Sequence, residues 1–141
     1  MATQTELVKK TLAQLADDNG RYPLEAFGFV REGLSFTVHR IHGDVSKKEE
    51  KSCHVSGAQL AWGLRDFAVR RYGLLARAVL AHWRITRTSD FGRIVFAMVE
   101  AKMMQKTDRD EIHDFDEVYD FAAAFEPPAR PQAESRAVFS L

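Results

Sequence analysis

The chain of 141 residues has one cysteine, no net charge and no long apolar run, and each of these scarcities excludes something. One thiol cannot close an internal disulfide, and Cys53 lies in the polar stretch KKEEKSCHVSG, which points to a reducing cytoplasm. Polar residues interrupt every short apolar run of the N-terminal MATQTELVKKTLAQLADD, so neither a signal peptide nor a membrane span is expected there. Internal repeats are lacking too. What is present is a 45% apolar composition with ten Phe, enough to bury one core at this length and too little for two.

Helical periodicity dominates. Thr3 and Glu6 have capping-box spacing, Val8, Leu12, Leu15 and Ala16 fall on one stripe, and Gly20 follows, so a helix is expected over about 4–17. Pro23 suits the first turn of a second helix, with Phe27, Val30 and Leu34 as its apolar stripe. Close packing against another helix is a reason for Gly28 and Gly33. From Ser35 the text SFTVHRI fits either a continuation to about Ile41 or a short strand, which leaves a β-hairpin open around 35–55. Ser56 and Gln59 form a capping box ahead of Leu60, Leu64, Phe67 and Ala68, and Gly73 closes that helix over about 57–72. Ala76, Val79, Leu80 and Trp83 mark a fourth helix. Ser89 as N-cap and Asp90 at the positive dipole end open a fifth, with Phe91, Ile94, Val95, Met98 and Val99 buried and Phe96 and Met103 on a second line. The segment DFDEVYDFAAAF suits a short helix better than an alternating strand. The expected fold is mainly α, a single domain of five or six helices over 1–126, with residues 127–141 as a Pro-rich flexible tail.

Chemical motifs are sparse. Asp90-Phe91-Gly92 spells the magnesium-binding tripeptide of protein kinases but lacks the Gly-rich loop, strand lysine and His-Arg-Asp loop that it needs, so a helix start is the expectation. His39, His42, Cys53 and His54 lie within sixteen positions without zinc-ligand spacing, so no metal or cofactor is expected. His54 with Ser56, or His82 with Glu100, forms no recognisable triad, and Ser56 has a simpler role as a cap. No catalytic residue is assigned.

Charge is more informative. Residues 52–106 carry nine basic and three acidic side chains, a net of +6, whereas 107–126 carry one basic and eight acidic, a net of −7. Arg65, Arg70, Arg77, Arg84, Arg87 and Arg93 lie on consecutive predicted helices, and guanidinium forks suit phosphate or carboxylate. The acidic-aromatic run Asp114, Phe115, Asp116, Glu117, Tyr119, Asp120 and Phe121 follows, expected to fold back and neutralise those arginines.

The blocks RYPLEAFGFVREGL, HVSGAQLAWGLRDFAVRRYG, RTSDFGRIVFAMVE and DFDEVYDF resemble, in order, a family of conserved hypothetical proteins of planctomycete and verrucomicrobial bacteria, over about residues 21–125. His54, Gly57, Arg65, Gly73, Arg87, Asp90, Phe91 and Gly92 stand at positions of that family's pattern. The resemblance implies no activity, substrate or cofactor. The functional expectation is a non-catalytic cytoplasmic module for a protein partner, its acidic-aromatic segment docked on the basic helices. A nucleic-acid-binding regulator using the 57–102 arginines is the alternative, and a small enzyme of unknown reaction the third.

Overall fold

The computed structural model describes residues 4–43, 54–107 and 109–126, with side chains from Thr11 onward. Helices α1 (Gln4–Asn19), α2 (Leu24–His42), α3 (Gly57–Tyr72), α4 (Ala76–His82) and α5 (Thr88–Glu100) are followed by a single helical turn, α6 (Phe121–Ala124). Two 3-10 turns, Gly73–Leu75 and Ile112–Phe115, complete the regular structure, and no strand occurs among the described residues.

Helix α2 runs through the β-branched SFTVHRI to His42, so the helical alternative holds for 35–42. Residues 44–53, the rest of the expected hairpin, lie outside the described residues, as do Thr3 and the tail 127–141. The β-branched Thr37 is accommodated because its hydroxyl donates to the Gly33 carbonyl (2.7 Å) and the residue is fully buried. Pro23 sits one residue before the first turn, at the N-cap in an extended conformation.

Two glycines let α2 and α3 approach. A Cβ at Gly33 would overlap Leu64, and one at Gly63 would overlap the Thr37 side chain. Gly28 has nothing within 4 Å of its missing Cβ, so close packing does not explain it. The core holds Phe27, Val30, Leu60, Leu64, Leu80, Ile85, Phe91, Ile94 and Met98, all 4% exposed or less. Phe29 fills the α2–α3–α4 junction, its ring 5.3 Å from Phe67 and 5.6 Å from Trp83.

Helices end as their sequences direct. Ser56 accepts the Gln59 N–H (3.1 Å) and Gln59 accepts the Ser56 N–H (2.9 Å), the reciprocal capping box at the start of α3. Left-handed Arg84 (φ 67°) and Lys102 (φ 62°) close α4 and α5, and the following N–H groups of Ile85 and Met103 return to Leu80 and Met98 (2.9 Å each). Met103 is therefore beyond α5, packed on the core from the closing turn. No helix among the described residues is long and apolar enough to cross a membrane.

Candidate interaction surfaces

The acidic-aromatic segment folds back over α3 and α5, though not as one helix. It forms the 3-10 turn Ile112–Phe115, an irregular link and the four-residue α6, because its carboxylates cap turns. Asp110 accepts the Thr107 N–H (2.7 Å), Asp114 the Glu111 N–H (2.9 Å) and Asp120 the Ala123 N–H (3.1 Å). Three short caps at offsets of three residues compete with a continuous helix and win.

Apolar contacts and backbone hydrogen bonds hold the segment down. Phe115 and Phe121 are each 4% exposed. The Phe121 ring lies 5.9 Å from Phe91 and 5.7 Å from Tyr119, and Tyr119 lies 4.5 Å from Trp62. Gly57 and Gly92 make room: a Cβ on either would come within 2.8 Å of Asp114 or 2.9 Å of Phe115. The buried Thr88 hydroxyl donates to the Phe115 carbonyl (2.5 Å) and accepts the Val118 N–H (3.1 Å). The Tyr119 hydroxyl donates to the Ala61 carbonyl (2.8 Å), and burial pushes its pKa well up. Arg65 Nε donates to the Ala124 carbonyl (2.9 Å). Glu111, Asp114, Asp116, Glu117 and Asp120 remain exposed on the outer side.

The expected neutralisation of the arginines takes a different form. Among the described residues no carboxylate of 109–126 is ion-paired with an arginine; within this segment Asp110 meets His54 (3.1 Å) and Asp116 meets His113 (3.0 Å). Acids on the helices are nearer. Asp66 accepts from Arg65 (2.9 Å) and Arg40 (2.6 Å), and although burial acts to raise its pKa, the two guanidiniums hold it below the ordinary value. Glu32 pairs with Arg71.

Nor do the six arginines share one surface. Arg65 is half-buried beneath α6, while Arg70 is exposed over the Phe36 ring, which Arg40 also overlies. Arg77 projects from α4 into a groove facing α6. Arg84 donates to the Arg21 carbonyl (3.4 Å), Arg87 is exposed at the α5 N-cap and Arg93 reaches Asp90 (3.0 Å).

Asp90 organises the start of α5. The helix begins at Thr88, so Arg87 and not Ser89 is the N-cap; an arginine side chain has no acceptor, and Asp90, three residues on, supplies one. Its Oδ2 accepts the N–H groups of Thr86 (2.9 Å) and Arg87 (3.1 Å), and its Oδ1 accepts the Tyr22 hydroxyl (2.5 Å) and Arg93. Arg21 stands 3.9 Å away. Asp90 is 2% exposed, and burial alone would raise its pKa, but these donors and the Arg93 charge hold it below the ordinary carboxylate value. The same burial, with Asp90 alongside, raises the Tyr22 phenol. The positive end of the α5 dipole is thus occupied by the helix's own carboxylate, not by one from 109–126.

The residues considered for acid–base chemistry are deployed separately. His54 is paired with Asp110, which also accepts the Thr107 amide; burial acts to raise the Asp110 pKa, but these partners lower it on balance. Ser56 caps α3, and His82 and Glu100 are exposed. His42 Nε2 contacts the His54 carbonyl (2.7 Å), and Cys53 lies outside the described residues. The Tyr22–Asp90 bond joins residues 68 apart, and composition carries no signal for it. The Asp110–His54 contact joins residues 56 apart. Neither a protein-family model, nor a curated protein, nor a solved structure matches the chain.

Proposed function

We propose that the protein is a non-catalytic cytoplasmic module that binds a protein partner carrying a basic surface, using residues 109–126 as an acidic ledge. The supporting observation is the division of that segment. Phe115, Tyr119 and Phe121 face the core, while Glu111, Asp114, Asp116, Glu117 and Asp120 are exposed and paired with no arginine among the described residues. A single-sign patch steers an oppositely charged partner, and a segment already held by three aromatics and four backbone carbonyl or amide contacts loses little freedom on binding. Nucleic acid is less favoured, because Arg70, Arg77 and Arg93 occupy three separate places instead of one continuous basic stripe.

The test is capture from the native lysate on the immobilised protein, in parallel with the doubly reversed Asp116→Lys, Glu117→Lys variant. Both positions are exposed and their reversal should leave the circular dichroism unchanged. A protein retained by the wild type, released by salt and lost from the variant supports the reading. An empty capture, or one that the variant retains equally, contradicts it; nuclease-sensitive capture would favour the arginines instead.

A further inference from the structure

A groove of about 850 Å³ runs between α4 and α6 and meets the acidic ledge at Asp120. One wall carries Leu74, Arg77, Ala78 and Ala81; the other carries Asp120, Ala123, Phe125 and Glu126. Alanines line both sides, so a partner can approach closely. At its rim the 3-10 turn Gly73–Leu75 holds two leucines out in water, Leu74 at 82% exposure and Leu75 at 66%. Among the described residues Arg77 and Glu126 have no ion-pair partner in their own chain, although each lines the groove.

We infer that this groove is the interface of a two-fold homodimer, in which Arg77 of each copy meets Glu126 and Asp120 of the other and the exposed leucines close over the alanine-lined floor. The charge pattern selects the occupant. An isologous interface places each residue against a counterpart across the axis, so the patch must be complementary to itself. A groove with a cation on one wall and carboxylates on the other meets that condition when the two-fold axis runs along it, because each cationic wall then faces an acidic one. A one-signed groove would repel its own copy. The apolar part adds a knob, Leu74 at the groove with Leu75 next to it, beside walls lined by small alanines.

The test is sedimentation equilibrium of the full chain over a wide range of concentration. A reversible monomer–dimer equilibrium is expected. Leu74→Asp and Arg77→Glu, both at exposed positions, should each weaken it at least about tenfold with unchanged circular dichroism. Glu126→Arg alone should weaken it similarly, and mixing it with Arg77→Glu should restore a heterodimer, since each reversed charge then meets its opposite across the axis. A chain that stays monomeric at every concentration, as it would if residues 127–141 or an unrelated protein belong in the groove, overturns the inference. So does a dimer that Leu74→Asp and Arg77→Glu leave intact, or a mixture of the charge variants that fails to associate.

Discussion

Replacing Asp90 with Asn keeps the side chain's size and removes its charge, which isolates what the carboxylate does at the start of α5. The native oxygens accept from the Tyr22 hydroxyl, the Thr86 and Arg87 amides and Arg93. An amide offers one oxygen and turns its NH₂ toward donors, so one side of the network must face donor against donor. Thr86 and Arg87 are exposed and their amides can turn to water, whereas Tyr22 is 2% exposed and cannot. Hydrogen bonds to a charged group contribute about 1.5–3 kcal/mol each, and one partner here is orphaned or weakened on the buried side, so a loss of about 3 kcal/mol is expected. In a domain of this size that lowers Tm by about 10 °C. Chemical denaturation followed by circular dichroism, with Tyr22→Phe and the double variant completing a cycle, measures it. Tyr22→Phe alone should cost about 1.5–3 kcal/mol, and the double variant should fall short of the sum because the two share one bond. An Asp90→Asn protein within about 0.5 kcal/mol of wild type would refute the reasoning.

Asp90 and two separately paired carboxylates set the acid limit of stability. Asp66, Asp90 and Asp110 are each held below the ordinary carboxylate pKa in the folded protein, so their contribution is present above that ordinary value and is lost as the pH falls through the lower folded values; denaturant midpoints should decline below about pH 4. Gly92→Ala should displace the Ile112–Phe115 turn, since the new Cβ would lie 2.9 Å from Phe115 Cβ; a loss of about 1–3 kcal/mol is expected, and unchanged stability would contradict the packing. Tyr119→Phe should cost about 1 kcal/mol by removing the hydroxyl's bond to the Ala61 carbonyl, checked by the same denaturation assay.

Much of the helical layout was legible because periodicity and caps acted together. The stripe Phe91, Ile94, Val95, Met98 is buried, and Ser56 with Gln59 makes its box. The SFTVHRI stretch was ambiguous for a physical reason: β-branching disfavours a helix locally, but Thr37 sits in the cleft beside Gly63, and that tertiary contact decides. The N-terminus of α5 was placed two residues late because Ser89 was given a task that Asp90 performs from inside the first turn. Docking of the acidic segment was readable from its aromatics. Its mode was not, since counting charges cannot show that Asp110, Asp114 and Asp120 cap neighbouring turns while Asp66, Asp90 and Glu32 take the arginines. The α4–α6 groove depends on two walls distant in sequence and left no periodic trace.

Everything proposed for the acidic ledge depends on its being held by aromatic packing and not by charge. Amide hydrogen exchange over residues 112–121, measured at low and high salt in the wild type and in Phe121→Ala, tests this directly. Phe121 is 4% exposed, and its truncation should remove about 3–5 kcal/mol of packing. Protection that is insensitive to salt and lost in Phe121→Ala is the predicted result. Protection that collapses in salt while Phe121→Ala leaves it intact would contradict the account.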